Sequence, residues 1–234
     1  MTLLFGTALE PTSAYISVIE LQKQLSQQVV EQDILDDKEM KYVCGIDVSY
    51  IKNTAHCSAV IMERHSWRVM EAANTSIMTA NPYIPGLFMI REAKPLLATL
   101  KLLKKEFNLL LIDGHGILHP RRCGLACYIG MILNKSTIGV AKHLLCGTVR
   151  TDQFIEDGGQ ILGFKMGNAR NDKKSVYVSV GNRISLVTSI RMVQELTKEG
   201  HWVPEPLRTA DINSKNKLNF HPNIQGQGER PNNE

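Results

Sequence analysis

The chain has five cysteines but no CxxC pair, an odd count that argues against a disulfide framework. Cys44 and Cys127 lie in apolar runs and read as small core residues. No apolar run approaches the length of a membrane span. The opening Met1–Phe5 is apolar but has no basic flank, and Gly6 and Glu10 cut it short, so no secretory leader is read there. Strong charge of either sign is also missing. A net charge of +4 permits nucleic-acid contacts without arguing for them. There is no internal repeat. The expectation is a soluble, monomeric, cytoplasmic protein with no membrane partner. At 234 residues and 43% hydrophobic content it can build one core without a staple.

Amphipathic spacing predicts a helix from Ala14 to about Gln32, with Ser13 as its cap. Three strands follow, Tyr42–Tyr50, Cys57–Glu63 and Trp67 to about Ile77. Asn53 and His65-Ser66 supply the turns, so an antiparallel meander is expected. Helical spacing returns from Leu87 to Phe107, with Pro95 read into its first turns. Leu109–Asp113 reads as a strand covered on both faces, Gly124–Leu133 as a helix and Thr137–Lys142 as another buried strand. Strands near Gln160–Lys165 and Ser175–Val180 and a helix over Ser185–Lys198 complete the series. The order predicts an α/β fold, a ribonuclease H-like mixed sheet with helices on both faces. One domain is expected over residues 1–212, and residues 213–234, rich in Asn, Gly and Gln, read as a disordered tail.

Asp47 and Asp113 each close a short apolar strand. Carboxylates at strand ends stand where an apolar element meets solvent, and two on neighbouring strands can hold Mg²⁺ against a phosphate. Either alone also suits a strand-end cap. Glu92 could orient or deprotonate a water, although its pattern alone is that of an exposed helical Glu. Lys142 could neutralise a phosphate or simply extend into solvent. His115 and His119 have a zinc-like spacing, but Gly114, Gly116 and Pro120 argue against the helix that spacing needs. Arg121 and Arg122 fit phosphate contacts better. Tyr83, between Pro82 and Pro85, is an aromatic on a stiff segment suited to wedging a nucleic acid.

Five segments in register resemble the endonuclease V family. They are Gly45–Tyr50, Pro82–Gly86 followed by Arg91-Glu92, Asp113–Gly116 with His119–Arg121, Gly139–Lys142, and Ser179–Leu186. Pro204–Arg208 and Ala210-Asp211 share the likeness. The resemblance implies a ribonuclease H-like nuclease that uses Mg²⁺, or Mn²⁺ in its place. It implies recognition of deaminated adenine in DNA containing deoxyinosine, with inosine-containing RNA as the alternative substrate, and cleavage at the second phosphodiester bond on the 3′ side, in DNA repair. Asp47 and Asp113 are then metal ligands, Glu92 the third acid and Lys142 a phosphate partner. Pro82, Tyr83, Ile84, Pro85 and Gly86 form the wedge, with Gly114, His119 and Arg121 beside the substrate. The family usually has His where this chain has Asn182. On that reading Asn182 faces the carboxylates, and the loss of a proton carrier there raises a weak inosine-binding protein as a further alternative.

Overall fold

The run Tyr42–Ile51 (β1) alternates in a way that fixes the architecture: Val43 turns to one apolar face, Cys44 and Ile46 to the other. The structure is a computed structural model that describes residues 11–79, 84–167 and 174–216. β1 pairs antiparallel with Thr54–Glu63 (β2) through a tight turn in which Lys52 takes φ 54°. β2 pairs antiparallel in turn with Val69–Met78 (β3), giving the expected meander. Helix Phe88–Leu100 (α2) then crosses to Leu109–Asp113 (β4), which runs parallel to β1. Helix Leu125–Leu133 (α3) leads to Ser136–Ala141 (β5), parallel to β4. Three more antiparallel strands, Thr148–Val149 (β6), Phe154–Asp157 (β7) and Gln160–Gly167 (β8), precede Ser175–Asn182 (β9), which returns beside β5. The sheet order is β3-β2-β1-β4-β5-β9-β8-β7-β6.

Both faces are covered. One carries Cys44, Ile46, Leu110 and Ile112 against Met89, Ala93 and Leu96 of α2 and Ala126 and Ile129 of α3. The other carries Val43, Leu109, Leu111, Ile138 and Val180 against Met192 and Val193 of helix Leu186–Glu195 (α4) and Leu207 of helix Glu205–Lys215 (α5). Gly45 allows α5 to lie directly on β1, since a Cβ there would stand 2.3 Å from the Pro206 carbonyl carbon.

Several boundaries differ from the sequence reading. The first helix, Pro11–Ser26 (α1), contains Ser13 and stops short of Gln32, because the Val30 N–H is used by the Asn182 side chain instead of a helical carbonyl. α2 stops at Leu100, well before Phe107. The backbone N–H groups of Lys104 and Lys105 bond to the Glu71 carboxylate, and Phe107 enters the core from extended chain. Pro95 lies mid-helix instead of in the first turns. The β6–β7 hairpin is too short to show a period, and the sequence reading lacks α5 although Pro206 in its first turn is a start signal. α5 runs through Asn213, Ser214 and Lys215, so regular structure passes the expected domain end at 212; residues 217–234 lie outside the described part. All five cysteines are free. Among the described residues no helix is long and apolar enough to cross a membrane.

Candidate active site

Strand parity brings the acids together. The parallel register pairs Ile46 with Ile112, so the next residues, Asp47 and Asp113, are neighbours on the face that α5 covers. Asp113 pairs with Val140 on β5, and Lys142, two residues further, turns to the same face. From above, α5 adds Asp211. One carboxylate oxygen from each of Asp47, Asp113 and Asp211 lies within 4.8 Å of the others, a set of hard donors suited to a divalent cation.

The charges in this cluster are arranged for a cation. Asp47 is 6% exposed. Burial first, and then the neighbouring Asp113 carboxylate, push its pKa far above the ordinary carboxylate range, so without a cation it keeps a proton directed at Asp113. Lys142 Nζ sits 2.6 Å from Asp113 Oδ2 and 3.3 Å from Asp211 Oδ1. Burial works against its charge, but the surrounding carboxylates raise its pKa overall. Burial likewise works to raise Asp211, while Lys215 at 2.7 Å and Lys142 outweigh it and hold the group low. Ser214 Oγ lies 3.2 Å from Asp47 Oδ2 and 2.9 Å from the Asp211 carbonyl, with its one O–H shared between the two, and so ties α5 to β1.

Glu92 is not one of these three. Its helix α2 covers the opposite face, and the side chain approaches Asp113 from there; burial, and secondarily Asp113, push its pKa up to about 8. The sequence reading names Glu92 as the third acid and does not include Asp211, whose signal is the family-like Ala210-Asp211 pair.

A cleft of about 200 Å³ opens beside Asp113 and Lys142, lined by Gly86, Phe88, Met89, Gly114, His119 and Leu145 among others. Burial pushes the imidazoles of His115 and His119 down to about 4, so both are neutral near pH 7. His119 Nε2 donates to the Gly86 carbonyl at 3.0 Å, and its Nδ1 accepts from the Arg121 N–H at 3.1 Å. The Arg121 guanidinium, expected on phosphate, is bonded within the protein to Gly86 and Gln22, and Arg122 to Asp157. Pro85 also lines the cleft, and Ile84 accepts the Leu87 N–H in the turn before α2. Pro82 and Tyr83 fall outside the described residues.

Asn182 is elsewhere, and the expectation that it faces the carboxylates is corrected. It is the last residue of β9, paired with Thr137 at the start of β5, because β9 runs antiparallel. From Thr137 to Lys142 is roughly 16 Å of strand. Its Oδ1 accepts the Val30 N–H at 3.0 Å, and it is 4% exposed. Asn182→Ala is therefore expected to cost about 1–3 kcal/mol by orphaning that N–H. Single-turnover cleavage under folding conditions should stay at the wild-type rate. Urea unfolding with parallel rate measurements checks this, and a large rate loss in a fully folded variant would return Asn182 to the chemistry.

A mixed sheet with carboxylates at the adjacent ends of its first and fourth strands, a lysine at the end of the fifth and helices on both faces defines a nuclease of the ribonuclease H-like class. The family model for endonuclease V matches residues 23–212, and the chain belongs to that family. It is 37% identical over 195 residues to endonuclease V of Thermofilum pendens, covering 82% of this chain and 83% of that protein. With endonuclease V of Dictyoglomus thermophilum it shares 34% over 213 residues, 88% of this chain and 92% of the relative. Among solved structures, Ciona intestinalis endonuclease V, in complex with a 24-mer DNA containing an inosine followed by a ribo-adenosine, superposes with a TM-score of 0.77. It is 26% identical, and the match covers 88% of this chain and 98% of that one. The catalytic domain of human endonuclease V gives a TM-score of 0.75 at 26% identity, over 86% and 94% of the two chains.

Proposed function

We propose that this protein is a Mg²⁺-dependent endonuclease, with Mn²⁺ able to substitute. On this reading it recognises inosine in nucleic acid and hydrolyses the second phosphodiester bond on the 3′ side, acting in DNA repair. The observation that carries the reading is the cluster of Asp47, Asp113 and Asp211 beside an apolar cleft large enough to receive a flipped base. The donor set fits the cation, since three carboxylates converge and one of them retains a proton in its absence. A bound divalent ion supplies electrostatic stabilisation of the charge that develops on the phosphate. Lys142 can hold a phosphate oxygen next to Asp113, and Glu92, whose pKa burial and Asp113 raise, can take up a proton from an attacking water once it is in its carboxylate form. Gly86, His119 and Leu145 line the cleft and would enclose the base.

Cleavage of matched DNA and RNA oligonucleotides, each with one inosine, tests the reading with Mg²⁺ and with EDTA. Cutting of an inosine strand with Mg²⁺ and none in EDTA is expected. An RNA strand cut faster than its DNA counterpart would make the substrate inosine-containing RNA. Equal rates on strands with and without inosine would overturn the base assignment.

A further inference from the structure

We infer that Gln22, on α1, is a positioning residue for base discrimination that acts through Arg121 on the carbonyl of Gly86. The inference rests on the reading that the cleft takes hypoxanthine. Gln22 is 1% exposed, and both ends of its amide are engaged. Its Nε2 donates to the Gly86 carbonyl at 3.1 Å and the Cys123 carbonyl at 2.9 Å, while its Oε1 accepts from Arg121 Nε at 2.7 Å. Held in this way, Arg121 directs Nη2 to the same Gly86 carbonyl at 2.7 Å, where His119 Nε2 also donates at 3.0 Å. A carbonyl with two lone pairs thus receives three donors.

These bonds join three stretches distant in sequence: α1, the turn before α2, and the loop after β4. All three are walls of the cleft, since Gln22, Gly86 and His119 line it. Gly86 takes φ 78°, a conformation glycine adopts without strain, and a Cβ there would stand 3.0 Å from Arg121 Nη2. The walls therefore cannot separate without breaking bonds at this carbonyl. Hypoxanthine differs from adenine only in one exocyclic atom and in the proton at N1. Rejecting so close an analogue requires polar groups fixed to a fraction of an ångström. Removing Gln22 leaves Arg121 Nε and the Cys123 carbonyl without their partner and frees the guanidinium to swing. A purely structural Gln22 would lower stability and leave the choice of base alone.

Gln22→Leu keeps the volume without the bonds, and Arg121→Lys keeps the charge without the fork. Single-turnover cleavage with Mg²⁺ is measured across enzyme concentrations on two oligonucleotides that differ only in inosine against adenosine. Both variants are expected to lose about tenfold in the inosine-to-adenosine rate ratio. The concentration that half-saturates on the inosine strand should rise in parallel. A wild-type ratio in both, whatever their melting temperatures, overturns the assignment. If Gln22→Leu does not fold, Arg121→Lys decides alone. A wild-type protein that leaves the inosine strand uncut overturns both this inference and the functional reading beneath it, and so is distinguishable from failure of the inference alone.

Discussion

Replacing Asp47 with asparagine is expected to abolish cleavage and, in EDTA at pH 8, to make the protein more stable. The first effect follows from losing an anionic oxygen from the cation site. Charge stabilisation by a bound metal is worth several kcal/mol, so a fall of about three orders of magnitude is expected. The second follows from burial and the Asp113 carboxylate, which raise the Asp47 pKa. A group whose pKa is higher folded than unfolded contributes stability that is fully present below the unfolded value. That contribution fades as pH rises through the folded value. Metal-free wild type should therefore weaken from about pH 4 upward. The Asp47→Asn side chain carries its donor permanently, can still accept from Ser214, and removes this slope. A gain of about 1–2 kcal/mol is expected. Urea unfolding in EDTA at pH 5 and pH 8 checks it, and a variant less stable than wild type at pH 8 would remove the shared proton from this description.

Gly45→Ala is expected to disable the site from two residues away on the same face of β1, by displacing α5. The added Cβ would meet the Pro206 carbonyl carbon at 2.3 Å, its oxygen at 2.5 Å and the Leu207 nitrogen at 2.6 Å. All three are backbone atoms and cannot rotate away, so α5 must move and carry Asp211 and Ser214 with it. Overpacking of this kind costs about 1–3 kcal/mol. Cleavage should fall to the level of Asp211→Ala, itself expected to lose about three orders of magnitude with its fold intact. Rates and calorimetric Mn²⁺ binding for the two variants make the comparison. Wild-type Mn²⁺ affinity in Gly45→Ala would mean that α5 tolerates the displacement.

What is legible in the sequence follows from how local each signal is. Asp47 and Asp113 end short apolar strands, and their adjacency needs only a parallel pairing that the alternation of elements implies. Asp211 cannot be found this way. It joins the cluster because α5 packs across the sheet, a long-range contact with no periodicity linking residues 47 and 211. Glu92 is named by resemblance, yet its face depends on which side of the sheet α2 occupies. Asn182 is misplaced by the sequence because β9 continues two residues beyond its last strongly apolar position, Val180, and runs opposite to β5. A motif shows its residues but not the direction of the strand that carries them.

The three carboxylates are also ordered in time. Asp47 and Asp113 can take their places once β1 and β4 have paired, and nothing later in the chain is needed for that pairing. Asp211 arrives only with α5, the last described element. Because chains fold from the N-terminus during synthesis, a nascent sheet holds two ligands and an exposed Gly45 groove until α5 leaves the ribosome. The chain order thus makes closure of the carboxylate set its last step.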